Sequence, residues 1–189
     1  MSEGKEFEIL ASGAYPARLY QIIHMGVIDS GQYGPKDTVR LAFEFPTEKT
    51  TFKEENGEQP FVLSQEYTLS THEKSNLRKV IHALIGAELT DQEAESFDVE
   101  DLIGKECLVT VVHNEGKNGK IYANIGNTTV LPKGMECPAP INEAFVLNYR
   151  EKWDDIKFAT LPDFIKSKMQ ATEQFKFKGE EVQPDDIPF

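Results

Sequence analysis

Residues 61–86, FVLSQEYTLSTHEKSNLRKVIHALIG, contain the change of pattern on which the predicted fold depends. The stretch begins as a strand, and its apolar residues then recur at the spacing of one helix face: Leu77, Val80, Ile81 and Leu84. Gly86 is a suitable helix end. Two starts are open, since Ser70 with Glu73 matches a capping box and Ser75 is an equally good N-cap. A strand followed by an amphipathic helix is therefore predicted.

Two further strands are predicted before this stretch. Residues 14–28 are rich in aromatic and β-branched residues and are followed by a cluster of turn formers, DSGQYGPKD. Apolar and polar residues then alternate through 38–45, TVRLAFEF, which is typical of a half-buried strand with Phe43 and Phe45 in the core. Asn56-Gly57 lies in the polar connection to the next strand.

Two more strands follow the helix. Thr90 with Glu93 indicates a short second helix. Residues 106–114 and 120–132 then have the pattern of a hairpin around a glycine-bearing turn. Cys107 alternates with valines, so we expect it to be a small buried hydrophobe.

This order of elements predicts a mainly β fold with some α. The OB-fold, a five-stranded Greek-key barrel, places its helix between strands three and four, as here, although other small α+β folds share the order. We expect residues 1–135 to form this domain and residues 136–178 to form an extension that packs on the barrel or mediates association. Residues 179–189 are expected to be a flexible acidic tail. Within the extension, 139–149 shows no clear period and 163–169 predicts a short helix.

Charge and composition limit the classes of function. The 189 residues include 20 basic and 32 acidic side chains, a formal net charge of −12, which argues against binding nucleic acid through a globally basic surface. No apolar run approaches the roughly 20 residues of a membrane span, and the first residues, MSEGKEFEIL, are unlike a secretion signal. Two cysteines cannot form a disulfide framework. These features predict a cytoplasmic protein that does not enter the membrane.

The last five residues carry the strongest functional signal: Asp185, Asp186, Ile187, Pro188 and Phe189. This ending resembles the terminal peptide of bacterial single-stranded DNA-binding proteins, in which aspartates precede Ile-Pro-Phe. A hydrophobic pocket with an arginine suits such a peptide, because Phe189 offers a phenyl ring and an α-carboxylate together. Pro188 reduces the entropy lost on binding, and the two aspartates steer toward a basic rim.

The resemblance implies a single-stranded DNA-binding protein, similar to those of phages, that coats single strands. Its tip would recruit host enzymes of replication, recombination and repair. The resemblance covers the tip and the order of elements, not the body residue by residue. A decoy that uses the same tip to compete with the host protein for its partners, without binding DNA, is an alternative of a different class. Either protein would act in the cytoplasm of a bacterial host, and self-association is left open.

A single-strand site combines aromatic rings for the bases with lysine or arginine for the phosphates. The candidates on elements that OB-folds use for binding are Arg18, Tyr20, Tyr33, Lys36, Arg40, Lys117, Lys120 and Tyr122. Structural roles compete with this interpretation, because strand tyrosines often lie at the edge of a core. Arg40 also has Glu44 and Glu66 as candidate ion-pair partners.

No catalytic apparatus is visible in the sequence. The histidines and cysteines are scattered without metal-ligand spacing, and neither a phosphate-binding glycine loop nor a dinucleotide motif is present. We therefore expect no enzyme activity, metal site or cofactor. A nuclease that uses Asp154-Asp155 or Asp185-Asp186 is the least supported alternative, since such carboxylates are usually solvated. The stretch Trp153–Phe164 is either an interaction element or packing.

Overall fold

The structure, a computed structural model, describes residues 8–29, 31–149 and 153–178. It is mainly β, with one sheet of six strands and several short helices. The strands are β1 (Gly13–Asp29), β2 (Pro35–Thr50), β3 (Gln59–Thr68), β4 (Glu106–Glu115), β5 (Ile121–Thr129) and β6 (Phe145–Leu147). The α-helices are α1 (Asn76–Ile85), α2 (Asp91–Glu95), α3 (Asp155–Ala159), α4 (Asp163–Gln170) and α5 (Glu173–Lys176). Short 3-10 turns span Gly31–Tyr33, Glu54–Asn56 and Val99–Leu102.

Helix α1 forms where the sequence indicates, and the structure settles its N-cap. The hydroxyl of Ser75 accepts a hydrogen bond from the Arg78 amide at 3.1 Å and donates to the carbonyl of Ser70. Gly86 ends the helix in the left-handed conformation, at φ 74°, which glycine adopts without steric cost. The predicted apolar stripe is buried, and the predicted capping box of α2 is also formed.

The strands follow the order β3-β2-β1-β4-β5, and neighbours along this path are antiparallel. One edge of β1 is shared, because Gly13–Arg18 pairs with β4 whereas Gln21–Ile23 pairs with β6 in parallel. β6 therefore continues the sheet beside β1 where the pairing with β4 has ended. Cα atoms of β3 and β5, the two ends of the path, come within 8 Å of each other.

A β-bulge at Tyr20 lets β1 contribute to two cores. The register with β2 shifts between Leu19 and Gln21, and an extra residue reverses the alternation of the side chains. Leu19 and Ile22 consequently lie in the first core although they differ in parity, and Ile23 lies in the second.

The two hydrophobic cores lie on opposite sides of β1. The first joins the sheet to α1, and Phe43, Phe45 and Cys107 are fully buried in it, as predicted. Burial raises the pKa of the Cys107 thiol to about 12, so this side chain stays protonated. The second core joins β1 to the extension and contains Ile23, Met25, Leu147, Tyr149, Leu161, Ile165 and Met169.

The extension corrects two expectations about the sheet. The prediction that 38–45 is half-buried is wrong, because Glu44, on the polar side of the alternation, is covered by residues 141–142 and is 0% exposed. The sheet also has one strand more than the five expected for the barrel, because the extension adds β6. Three residues are too few for a period to be recognised. The short helix predicted at 163–169 is confirmed as α4.

The extension ends against the far end of β1. The amide of Val27 donates to Oε1 of Gln174, on α5, at 3.1 Å. Gly26 has φ 89°, and a Cβ atom there would lie 2.9 Å from Oγ1 of Thr172. The glycine thus permits both the backbone conformation and the close approach of the extension.

Candidate nucleic-acid interface

The eight predicted DNA-contacting residues fall into two sets. Three are partly buried on the side of the sheet that the extension covers: Arg18, Tyr20 and Arg40. Five are exposed in or beside two connections: Tyr33, Lys36, Lys117, Lys120 and Tyr122. These two connections lie at opposite ends of β1, because Asp29 pairs with Pro35 while Gly13 pairs with Val111. The structure therefore does not gather the eight side chains into one patch.

Arg18 ties the start of the extension to the sheet. Its Nη1 donates to the Gly104 carbonyl at 2.7 Å, and its Nη2 donates to the Pro138 carbonyl at 2.9 Å. The same nitrogen forms an ion pair with Glu106 at 3.1 Å, and the side chain is 15% exposed. The guanidinium thus has a structural role, because it joins residues 104–106 of the sheet region to residue 138 of the extension.

Glu44 is a second anchor of the extension. Its carboxylate accepts hydrogen bonds from the Ile141 amide at 2.9 Å and the Asn142 amide at 2.8 Å. The Asn142 side chain donates a third bond at 2.9 Å. A buried carboxylate needs such donors, because desolvation without them is costly. The only signal for this role in the sequence is a single acid inside an apolar strand.

Tyr20 and Arg40 lie on the same covered side. Burial raises the pKa of the Tyr20 hydroxyl, the negative charge of Glu44 raises it further, and Arg40 lowers it. Of its two predicted partners, Arg40 forms an ion pair with Glu66, at 3.5 Å. Its guanidinium carbon lies 5.3 Å from the centroid of the Phe164 ring on α4. Both side chains are therefore engaged with groups of the protein itself.

The β4–β5 hairpin carries exposed side chains on its outer face. Cross-strand pairing places four of them together, and we call these the ribbon face: Val112, Asn114, Tyr122 and Asn124. Asn124 Nδ2 donates to Asn114 Oδ1 at 3.0 Å. The opposite face packs on the first core through Ala123 and Ile125. The ribbon face thus offers one ring and two amides to solvent.

The ring of Tyr122 is held in place by the hairpin turn. Asn118 Nδ2 donates to the Tyr122 hydroxyl at 2.9 Å. The ring also lies over Gly116, where a Cβ atom would come within 2.7 Å of its Cε2. Tyr122 nevertheless remains 45% exposed. A ring that is already oriented loses less entropy when a base stacks on it.

Two lysines lie in the hairpin turn near the Tyr122 ring. Lys117 and Lys120 are exposed, and Glu115 is the one acidic residue between positions 115 and 122. The turn therefore has a net charge of +1 within a chain whose net charge is −12. Contacts with phosphate are feasible there despite the overall acidity. At about 0.1 M salt, acidic groups more than about 10 Å from the turn are largely screened from a phosphate bound there.

The β1–β2 connection presents a smaller set at the other end of β1. Tyr33 ends the 3-10 turn Gly31–Tyr33 and is 71% exposed. Lys36 is exposed on β2, where it pairs in register with Ile28. This connection offers one ring and one cation.

The acidic pair considered for a nuclease has structural roles in α3. Asp154 caps the helix by accepting from the Ile156 amide at 2.8 Å, and Asp155 accepts from Trp153 Nε1 at 2.9 Å. Across residues 8–29, 31–149 and 153–178, no group of three or more His, Cys, Asp or Glu side chains is placed to hold a metal ion. Asp185-Asp186, the other pair, lies outside the described residues.

A groove of about 1000 Å³ lies apart from these residues, between α1 and the end of β5. Its lining includes Arg78, His82 and Asn127 and none of the eight predicted DNA contacts. Arg78 is engaged there, because it donates to the Thr71 carbonyl at 2.8 Å. The groove is thus distinct from the candidate interface.

No protein-family model matches the chain, and no curated protein is similar to it in sequence. The predicted recruitment peptide, Asp185–Phe189, lies outside the described residues. In the part of the chain that the structure describes, no helix is long and apolar enough to cross a membrane.

Proposed function

We propose that the protein binds single-stranded DNA without sequence preference and has no catalytic activity. The ribbon face and its turn supply the contact surface, and Asp185–Phe189 recruits host enzymes of replication, recombination and repair. Its place of action is the cytoplasm of a bacterial host, as for a phage protein. The observation that carries the proposal is the oriented, exposed ring of Tyr122 beside Lys117 and Lys120.

The proposal includes an OB-fold barrel for the body of the protein. Its support is threefold: β1 pairs with both β2 and β4, α1 lies between β3 and β4 in the chain, and β3 approaches β5. β6 and the extension are additions to that pattern. In OB-folds the connection between strands four and five is one of the loops that border the ligand, which agrees with a site at the β4–β5 turn.

The chemistry of this surface suits a flexible single strand. A base that stacks on Tyr122 contributes about 1–3 kcal/mol, whichever base it is. Asn114 and Asn124 add hydrogen-bonding groups, and Lys117 and Lys120 add charge opposite phosphate. With two lysines in contact with phosphate, the slope of log affinity against log salt should be about −1.4, and so few cations should not hold duplex DNA.

The first test is an anisotropy titration with labelled oligo-dT and with a duplex of the same length. The wild-type protein should bind oligo-dT at low salt and leave the duplex unbound. Tyr122→Ala should weaken binding roughly 5- to 100-fold, because one stacking contact is lost. Tyr122→Phe is the matched control, since it keeps the ring and should retain most of the affinity.

The lysines are tested by the salt dependence of the same titration. Lys117→Gln and Lys120→Gln should each reduce the slope of log affinity against log salt by about 0.7. Lys133→Gln, at an exposed position beyond β5, should leave the slope unchanged. A wild-type protein that fails to bind oligo-dT at low salt would contradict the proposal.

The net charge of −12 and the engagement of Arg18 and Arg40 favour a second candidate, the decoy that binds host partners without binding DNA. Phe189→Ala should abolish capture of host repair enzymes under either function. Only the DNA-binding protein should shift oligo-dT, so the titration separates the two. Unchanged capture by the Phe189→Ala variant would reject recruitment through the tip.

A further inference from the structure

Phe164 is an exposed aromatic residue on the extension. Helix α4 buries Ile165 and Met169 in the second core, whereas Phe164 is 54% exposed. Single exposed apolar residues are ordinary on protein surfaces. Phe164 differs from Ile156 on α3, which is 79% exposed, because it is an aromatic ring with an arginine guanidinium against one face.

The side of the Phe164 ring that faces the sheet is covered by a cation. The Arg40 guanidinium carbon lies 5.3 Å from the ring centroid, within the range of a cation–π interaction. Arg40 is 16% exposed, and it is fixed by a hydrogen bond to Ser64 Oγ and an ion pair with Glu66. The ring is thus held from below, and its solvent side is open to a stacking partner.

A second cation lies one helical turn away. Lys168 Nζ pairs with the two carboxylate oxygens of Glu66 at 2.9 and 3.1 Å, and its side chain is 45% exposed. Glu66 is shared by Lys168 and Arg40, so these three residues leave a net charge of +1 beside the ring. Residues 153–178 contain five lysines and four acidic residues, a net charge of +1 in a chain whose net charge is −12.

We propose that Phe164 is a second stacking platform for a base of single-stranded DNA, with Lys168 placed beside the phosphate. The proposal rests on the DNA-binding function proposed above and extends the contact surface to α4. A nucleobase is favoured over an apolar peptide as the occupant, because an exposed cation adjoins the ring and another supports it. Arg40 then acts as a positioning residue that orients the ring.

Phe164→Ala in the full-length protein tests the platform. Affinity for oligo-dT should fall roughly 5- to 100-fold, the effect of losing one stacked base. The salt slope should stay unchanged, because no charge is removed. Ile156→Ala, which likewise shortens an exposed apolar side chain of the extension to alanine, is the control and should bind like the wild type. Fluorescence of the single tryptophan, Trp153, checks that the extension remains packed.

If Phe164 acts by stacking on a base, another aromatic ring at position 164 should support the binding of oligo-dT. Phe164→Trp should restore binding, and its indole emission should be quenched when oligo-dT is added. Equal losses in the Trp and Ala variants would show that the ring serves packing, and would overturn the proposal. Binding by Phe164→Ala that equals the Ile156→Ala control would also overturn it while leaving the DNA-binding function in place. Failure of the wild type to bind would reject that function itself.

The positioning role of Arg40 has its own readout. Arg40→Met should weaken binding in the wild-type background and have no further effect in the Phe164→Ala background, because its action passes through the ring. Arg40→Lys should recover part of the loss, since a cation again lies under the ring. A reduced salt slope in Arg40→Met that persists without Phe164 would instead show direct phosphate contact and refute the positioning role.

Discussion

Glu44 determines, as a single residue, how the extension meets the sheet. Its carboxylate lies in a strand whose other buried residues, apart from Thr38, are apolar, and it accepts three hydrogen bonds from residues 141–142. The partners are separated by 97 and 98 positions in the chain. A local pattern of alternation carries no information about such a distant donor, so the sequence places Glu44 on the solvent side.

Glu44→Gln should destabilise the folded protein by about 2–4 kcal/mol, because one oxygen acceptor is replaced by an NH₂ group facing N–H donors. For a chain of this size that corresponds to a fall in melting temperature of about 5–15 °C. Thermal unfolding followed by circular dichroism measures the change. Glu143→Gln, an exposed acid in the same segment, is the matched control. A melting temperature equal to that of this control would show that Glu44 does not anchor the extension.

At the scale of elements, the predictable parts are those with a repeated period or a local cap. Helix α1 combines an apolar stripe with a serine cap and a glycine end, and the turn of the β4–β5 hairpin contains Gly116 and Gly119. β6 has three residues and takes its conformation from pairing with β1, so nothing local marks it. The site follows the same division. The hairpin residues are exposed as the turn indicates, whereas Arg18, Tyr20 and Arg40 are covered by an extension whose docking the sequence does not reveal.

The hairpin turn makes a prediction of its own at position 116. Gly116→Ala should displace the Tyr122 ring, because the new Cβ atom would meet Cε2 at 2.7 Å. Affinity for oligo-dT should fall by less than in Tyr122→Ala, since the ring is moved and not removed. The anisotropy titration measures this. In a Tyr122→Ala background the glycine substitution should have no further effect, and an additive loss would mean that it acts by distorting the hairpin.

At the scale of the whole molecule, the extension is a structural part of the body. Five residues of the second core come from it, and they cover Ile23 and Met25 of β1: Leu147, Tyr149, Leu161, Ile165 and Met169. Burial of each such side chain contributes about 1.5–3 kcal/mol, so the group contributes on the order of 10 kcal/mol. That is similar to the total stability of an ordinary domain, about 5–15 kcal/mol. This second core therefore predicts that residues 1–135 do not fold stably without the extension.

Truncation after residue 135 should accordingly give a protein that is poorly folded and exposes its apolar surface. Dye binding to hydrophobic surface should rise, and the cooperative thermal transition should be lost. Truncation after residue 178 is the control, because it keeps every contact described above and should melt like the full chain. A cooperative transition in the 1–135 fragment, at the temperature of the control, would disprove the structural role of the extension.

The contact of the extension with Gly26 and Val27 also limits how far the proposed recruitment peptide can lie from the sheet. Gln174 is fixed there, near the connection that carries Tyr33 and Lys36. Phe189 lies eleven positions after Lys178, and even a fully extended chain of eleven residues spans only about 40 Å. An enzyme captured by the tip would therefore search a small volume around this end of the sheet. Once captured, the enzyme would have an effective concentration in the millimolar range typical of short linkers at this end of β1, opposite to the hairpin turn, which would favour its contact with DNA that reaches this end.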